Sequence, residues 1–483
     1  MAGKNNSLSR RQFLLWAGGV LGTAALAACA APKAQVTEST AAPEAQAAEA
    51  TAVPEATAAP QATPTAQAAA APATVVEFWH FRSDPMEGSA EHRMLELFNQ
   101  SHQDIQIKEV VVSSDAIVNK LQAAIAGGNP PSLTDLWTWV IPSWATADIL
   151  TQLDSYIDRD INWDDYLPIT KVLASFNGHF WGMPWSLNSW LLYYNKDAMK
   201  QASLDPDKPP LTTDDLDLYA GKMTKRDSKG IIDTLGFAPW VPSDWIWTWG
   251  YVFGGDYYDP NTMKITADHP KIVEAFKWKL SYAQKYGIEN ISQFATASLA
   301  AGGPGSDQAA SPTYTGKIAM YYYGQWSLKA QTEYCKMDFD MAPIPAPAGG
   351  REKCTLTEGS PYLIPKGAKH PDQAWEFVKW ALTDPAAAIL LPTETGGSTV
   401  TNKKILSGDF ISKMEAGPRK NYRKFVDILS SPNVCIAPYL TVTSYYQDRL
   451  AAAQDDILWG KKTPEEALKE VTQQVQAELD KSK

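Results

Sequence analysis

The stretch Gly178-His-Phe-Trp-Gly-Met-Pro-Trp-Ser-Leu-Asn-Ser-Trp-Leu-Leu-Tyr-Tyr-Asn-Lys-Asp197 decides how this chain is read. Gly178 reads as a turn residue between two extended runs. Phe180 to Met183 suits a short strand, and Pro184 is expected to end it, because proline has no N–H to give to a ladder. Ser189 to Tyr194 follows as a second strand, so apolar that both of its faces must be buried. Between the two lie Trp185, Ser186 and Asn188, aromatic and polar groups where the chain changes direction.

Upstream, the apolar pattern sets a regular rhythm. Thr74 to Trp79 reads as a first strand. Ala90 to His102 is an amphipathic helix with Met94, Leu95, Leu97 and Phe98 on one face. Ile105 to Val112 is a second strand. Ser114 is placed to cap a helix from Asp115 to Ala126, which Gly127-Gly128 stops. Leu133 to Trp137 is a third strand. This β-α-β-α-β order predicts a parallel sheet covered by helices, in an α/β fold. Ligands of such sheets collect outside the carboxyl ends of the strands. Those ends carry Trp79, His80, Arg82, Trp137 and Trp139.

Downstream, Thr213, Asp214 and Asp215 open a helix to Met223. Gly236 to Trp240 reads as a strand, followed by a loop with Asp244, Trp245, Trp247 and Trp249. Pro270 to Tyr286 is an amphipathic helix. The glycine-rich stretch from Ala300 to Ser306 lacks the lysine and the strand-to-helix setting of a phosphate loop, so it reads as a linker. Asp338 to Pro345 and Thr355 to Pro365 are further strands, and His370 to Thr383 is a helix. Thr463-Pro464-Glu465-Glu466 is a helix start with a capping box. Behind it Ala467, Leu468, Val471, Val475 and Leu479 form one packed face.

The turn, the aromatic-Gly-Met-Pro strand end and the Tyr194-Asn195-Lys196-Asp197 stop resemble the extracellular solute-binding proteins of ABC importers, the sugar-type family. Gly316-Lys317-Ile318-Ala319-Met320 to Gly324-Gln325-Trp326 and the helix Pro371-x-x-Ala374-Trp375-x-Phe377-Val378 add to the resemblance, which covers about residues 74–480. It implies two α/β lobes of the type II periplasmic-binding-protein kind, joined by hinge crossings, with a ligand cleft between them. The expected division is 74–184 with 325–392 for the first lobe and 185–324 with 393–483 for the second, the strands at Asp338–Pro345 falling in the first. The resemblance implies binding rather than catalysis, a solute that is a carbohydrate, and delivery to a membrane permease by a monomer. Trp326 is expected to face the ligand. Trp185 and Asn188 at the first crossing, Trp137 or Trp139, and Asp244, Trp245 or Trp247 should surround the same cleft. His80 and Arg82 should add polar contacts, and Tyr439 and Tyr445 should close the far side. The acid that many maltodextrin binders carry after the third strand is absent, and Asn188 stands where a Glu is expected; both depart from a maltodextrin site. A peptide or a phosphorylated polyol is the alternative ligand.

The chain has 483 residues, too many for one core, and a formal charge of −11. That charge argues against nucleic acid or an anionic lipid surface as partner. Trp and Tyr are abundant, 18 and 20 copies; their rings have apolar faces and polar edges, which suits amphipathic ligands. Ser9-Arg10-Arg11-Gln12-Phe13-Leu14-Leu15 and the apolar run to Ala28 resemble a twin-arginine export signal. Leu26-Ala27-Ala28-Cys29 matches the bacterial lipobox, which implies cleavage after Ala28 and a lipid on Cys29. Losing residues 1–28 removes Lys4, Arg10, Arg11 and no acid, and leaves a charge of −14. Residues 29–73, rich in Ala, Pro and Thr, have no apolar periodicity and read as a disordered tether spanning roughly 40 Å. The expected location is the outer face of the cytoplasmic membrane.

Export permits a disulfide. Of Cys335, Cys354 and Cys435, the first two flank one strand-and-loop unit and are the expected pair. No Cys/His spacing suits zinc, and no cofactor is expected. A secreted glycosidase would need a carboxylate pair; Asp84, Asp244, Asp256, Glu358 and Glu394 form no motif that fixes one. Neither G-x-S-x-G nor H-E-x-x-H occurs.

Overall fold

The computed structural model describes residues 72–81, 89–304, 306, 308–395, 397–414 and 416–482. The leader, Cys29, most of the tether and Arg82 lie outside the described residues. The strands of the main sheet are β1 (Thr74–His80), β2 (Ile105–Val111), β3 (Leu133–Asp135), β4 (Met183–Asn195), β5 (Met320–Gly324), β6 (Phe339–Ala342), β7 (Thr355–Leu363), β8 (Thr399–Val400) and β9 (Val434–Cys435). Their order is β5-β4-β7-β3-β1-β2, with β6 and β8 also paired to β4 and β9 to β7.

β1 lies parallel to β2, Thr74 opposite Ile105 and His80 opposite Val111, and parallel to β3 through Phe78 and Trp79. The helices α1 (Ala90–Ser101) and α2 (Ile117–Ala126) make the crossovers. Ser89 accepts from the His92 N–H and caps α1 at 3.1 Å. α2 starts two residues later than expected, and Ser114 does not cap it. Residues 113–116 form a turn, in which Ala116 N–H donates to Ser113 O at 3.0 Å.

β4 spans thirteen residues, and one strand replaces the expected two. Pro184 sits inside it. The ladder to β7 shifts register there: Ser360 opposes Ser186, yet Pro361 opposes Pro184. Trp185 is therefore the extra residue of a bulge. Two prolines face each other where the ladder is already broken, so the missing N–H costs no bond. Beyond the bulge β4 pairs with β7 as far as Ser189, then with β5 from Trp190 to Tyr194. Thr355 Oγ1 both accepts from Trp190 N–H (2.9 Å) and donates to Trp190 O (3.0 Å), tying the strands where β4 changes partners. Upstream, Asn177 (φ 51°) and Gly178 (φ 81°) make the tight turn of a two-residue hairpin between Ser175–Phe176 and His179–Phe180.

Apolar side chains collect in three clusters. Two form around the β1–β3 end of the sheet. One holds Val76, Phe78, Phe98 and the buried Trp375 and Phe377 of α4 (Pro371–Thr383). The other holds Val112, Ile117, Leu136, Ile141 and Trp144. The third and largest surrounds the other end, with Trp190 to Tyr194, Met320 to Tyr322, and α3 (Pro270–Tyr286), α5 (Thr443–Leu458) and α6 (Pro464–Lys481). Met341 and Ala342 of β6 belong to this third cluster, so Asp338–Pro345 packs with β5 and not with β1–β3 as expected. At α6 the capping box forms: Thr463 Oγ1 accepts from Glu466 N–H and the Glu466 carboxylate accepts from Thr463 N–H. All five apolar positions read from the sequence there are buried.

Gly236–Trp240 is not a strand. Its backbone touches 317–320 through Leu235 and Gly236 and then turns between Ala238 and Val241. A Cβ on Gly236 would lie 2.1 Å from Ala220 O, so only glycine lets this segment pass the end of the preceding helix. The expected Cys335–Cys354 bridge is absent. All three described cysteines are free thiols, and Cys354 Sγ faces Cys435 Sγ at 3.9 Å. Cys335 instead ends the helix Leu328–Tyr334, where its Sγ donates to Met337 O. Among the described residues no helix is long and apolar enough to cross a membrane.

Candidate ligand-binding cleft

A cleft of about 460 Å³ opens over β7, between the segment that follows β3 and the loops of the largest cluster. Its size suits a small-molecule ligand, for which pockets of about 300–1,000 Å³ are usual. The floor is Leu356, Thr357 and Glu358 of β7. Thr357 Oγ1 donates to Asn188 O at 2.8 Å, which pins this part of β7 to β4. Glu358 lies opposite Asn188 in the ladder, and the Asn188 side chain hydrogen-bonds its carboxylate. Burial pushes the Glu358 carboxyl up to about 7, against the opposing effect of Asn188.

One wall is Thr138 and Trp139, in the tight turn after β3. Trp137 does not line the cleft. It stands behind Trp139, stacked between it (5.8 Å, 16°) and Phe81 (4.1 Å, 28°), and so holds the Trp139 ring. Thr138 Oγ1 accepts from Gly359 N–H at 3.2 Å and fixes this turn to the floor.

The opposite wall is Ser243 to Trp247. Asp244 carries little free capacity. Its carboxylate accepts from Lys279 Nζ (3.0 and 3.3 Å), Gln454 Nε2 (2.6 Å) and Tyr322 OH (3.3 Å). Lys279 is 1% exposed; burial pulls its ammonium pKa down while Asp244 holds it up. Tyr322 OH in turn accepts from Trp245 N–H at 2.9 Å. The network clamps the loop so that Trp245 is presented to the cleft. Trp247 lines the base of this wall but is itself buried, wedged edge-on between Tyr257 (5.0 Å) and Tyr446 (4.9 Å). Ile436, Ala437 and Tyr439 complete this side, with Ser444, Gln447 and Asp448 of α5 at the rim. Tyr439 OH donates to Leu173 O at 2.9 Å.

The residues expected from sequence are thus brought together in part. Trp139, Asp244, Trp245, Trp247 and Tyr439 line this cleft, and Asn188 touches it through Glu358. Trp326 is one layer back, with its ring edge-on to Trp190 (5.3 Å) and Trp245 (5.7 Å). A Cβ on Gly324 would collide with that ring, so the position two residues before Trp326 needs glycine. Trp185 and His80 are elsewhere. The bulge turns Trp185 onto Tyr362 (6.0 Å), and both residues line a separate small cavity with Phe78 and Asp135. His80 is buried and its Nε2 lies 2.8 Å from Glu109, whose carboxyl this contact lowers. Tyr445 lies on α5 under the Arg449 guanidinium (5.3 Å), outside the lining. Glu358, Thr357, Ser243 and Gln447 were not singled out as site residues from the sequence. The available signal was Glu358 itself, the one charge in the strand Thr355–Leu363.

Comparison with known proteins fits this architecture. Residues 82–388 match the family of bacterial extracellular solute-binding proteins, and the chain belongs to that family. It is a solute-binding protein of an ABC transporter, and not an enzyme. It is 25% identical over 338 residues to a maltotriose-binding protein of Pyrococcus abyssi, covering 68% of this chain and 67% of the other. It is 24% identical over 419 residues to the sn-glycerol-3-phosphate-binding periplasmic protein UgpB of Pectobacterium atrosepticum, covering 83% and 90%. The solved structure of CpMnBP1 with mannotriose bound superposes with a TM-score of 0.72 at 29% identity, covering 83% of this chain and 99% of the other.

Proposed function

We propose that this chain captures a neutral sugar or short oligosaccharide and presents it to a membrane permease. The observation that carries the reading is the lining of the cleft. Indole rings of Trp139 and Trp245 stand on its two walls, with Glu358, Thr357, Ser243 and Gln447 between and around them. Apolar sugar C–H faces stack on such rings, while hydroxyls bond to the carboxylate, amide and hydroxyl edges. Among the described residues no Lys or Arg lines the cleft, and Asp244, Glu358 and Asp448 do. A phosphate calls for convergent cations or backbone N–H groups, so this lining disfavours a phosphorylated polyol such as the ligand named for UgpB. The named ligands of the maltotriose- and mannotriose-binding relatives are neutral trisaccharides, which agrees with it.

A ligand touching both walls favours a closed arrangement by its differential affinity for it. The lobes would be 74–184 with the end of β7 and α4, and 185–324 with β6 and the chain beyond 393, hinged along β4 and β7. The leader would direct export through its paired arginines, and Cys29 would carry a lipid. Cys29→Ser should then release a soluble product; membrane-bound Cys29→Ser protein would refute the anchor. For the ligand, mass spectrometry of co-purifying small molecules, followed by calorimetric titration, is decisive. Neutral di- and trisaccharides should bind and glycerol 3-phosphate should not. Saturable glycerol 3-phosphate binding without sugar binding would overturn the reading.

A further inference from the structure

Cys354 and Cys435 lie at the start of one strand and the end of another, and both chain segments run on into the cleft. Cys354 immediately precedes β7, is 1% exposed, and has its Sγ 3.9 Å from the Sγ of Cys435 in β9. β9 pairs in parallel with the start of β7, Thr355 opposite Val434 and Leu356 opposite Cys435. Leu356, Thr357 and Glu358 follow as the cleft floor; Ile436, Ala437 and Tyr439 follow as its side. We propose that these two cysteines form a disulfide outside the cytoplasm, and that the bond braces the floor of the cleft against its Ile436–Tyr439 side.

Three observations support this. The sulfurs need to close by about 1.9 Å to reach bonding distance, and Cys435 is the last residue of the short strand β9. The pair is also polarised. Cys354 hydrogen-bonds the Cys435 sulfur and the Arg351 guanidinium lies 3.7 Å from it, and both hold the Cys435 thiol below its ordinary value, while the same contact raises Cys354. Arg351 is itself held by Asp256 (Nη2 to Oδ2, 2.8 Å) and lies over the Tyr251 ring, whose OH donates to Ile436 O. Finally, the chain belongs to a family of extracellular proteins, which meet an oxidising compartment where disulfides form and persist.

The chemistry closes with one external oxidant, the disulfide form of a thiol–disulfide oxidoreductase. The Cys435 thiolate attacks one sulfur of that disulfide, forming a mixed disulfide and expelling a thiolate, which takes up the proton Cys435 gave up. Cys354 then loses its proton and attacks the Cys435 sulfur. The Cys354–Cys435 bond forms, the oxidoreductase leaves as a thiolate and takes that second proton. Two thiols of this chain are oxidised and one disulfide of the oxidoreductase is reduced to two thiols.

The test is peptide mapping of the exported protein after alkylation without reduction. Trypsin should yield a peptide beginning at Cys354 linked to one beginning at Phe425, with Cys335 alkylated. Cys354 and Cys435 both alkylated, after exposure to oxidised glutathione as well, would overturn the proposal, as would a link through Cys335. The bracing role is read by hydrogen exchange on the wild type, with Cys354→Ser/Cys435→Ser as the control for reduction. Reduction should speed exchange at residues 434–439 and lower the melting temperature by a few degrees, in the range expected for loss of a cross-link. It should change neither in Cys354→Ser/Cys435→Ser. Unchanged exchange on reduction of a linked protein would refute the bracing.

Discussion

Glu358 offers the sharpest test of the cleft as described. Its carboxyl is held up at about 7, from 4.5, because the floor of the cleft desolvates the charged form more than Asn188 stabilises it. In the unfolded chain the group titrates near 4.5, in the folded chain near 7. Between these values the folded state keeps a proton that the unfolded state has released. Stability from this group is therefore fully present below pH 4.5 and is lost as pH rises to 7 and beyond. A gap of about 2.5 pH units at about 1.4 kcal/mol each is worth roughly 3 kcal/mol, an upper figure because the cleft admits some water. Glu358→Gln keeps the shape and the Asn188 contact but cannot ionise. Urea unfolding of both proteins should be measured from pH 4.5 to 8. The wild type should lose stability relative to Glu358→Gln by up to roughly 3 kcal/mol across that window, with the steepest change between pH 5 and 7. All other carboxylates cancel in the difference. A difference that is flat with pH, or that moves in favour of the wild type as pH rises, would show that Glu358 is solvated and that the floor does not desolvate it.

The other expectations are simpler. Lys279→Met leaves Asp244 without its buried ion partner and should lower stability by about 3–5 kcal/mol in urea unfolding; a loss under about 1 kcal/mol would mean that the pair does not hold the Trp245 loop. Trp245→Ala should weaken ligand binding about thirtyfold, or about 2 kcal/mol, by calorimetry, whereas Trp326→Ala should chiefly lower stability, by about 3 kcal/mol, because its ring is packed against other aromatics. The reverse outcome would move Trp326 into the cleft. Thr463→Ala removes the capping box of α6 and should cost about 1 kcal/mol in thermal unfolding with ligand affinity unchanged.

Much of the architecture was legible because its signals are local. The Gly178 turn and the face of α6 each follow from a pattern within about twenty residues, and the parallel β1–β3 unit from short patterns repeated between Thr74 and Asp135. What was not legible depends on a distant partner. Pro184 looks like a strand end until Pro361 is placed opposite it, at a bulge where neither proline is asked for a hydrogen bond. Gly236 looks like the start of a strand until Ala220 O is found against it. The Cys335–Cys354 pairing followed sequence proximity, whereas β9 brings Cys435 to Cys354 from about eighty residues away.

The site shows the same division, with a consequence for specificity. Aromatic residues at strand ends and loops were readable as a class, but the sequence could not say which ring faces the ligand and which supports it. Trp137 backs Trp139, and Trp326 backs Trp245, so each wall is two rings thick. The acids divide likewise. Asp244 looked like a ligand for hydroxyls, but Lys279, Gln454 and Tyr322 already occupy its carboxylate, and its work is to hold the loop. Glu358 belongs to no motif in the sequence, yet it stands at the floor with Asn188 as its side-chain partner among the described residues. A carboxyl held near 7 exchanges between donor and acceptor at little cost, whereas the Asp244 carboxylate already accepts from three side chains of its own chain. In the proposed sugar complex, the group best able to meet a hydroxyl would therefore be Glu358, and the two layers of tryptophan would set where on the sugar that hydroxyl must be.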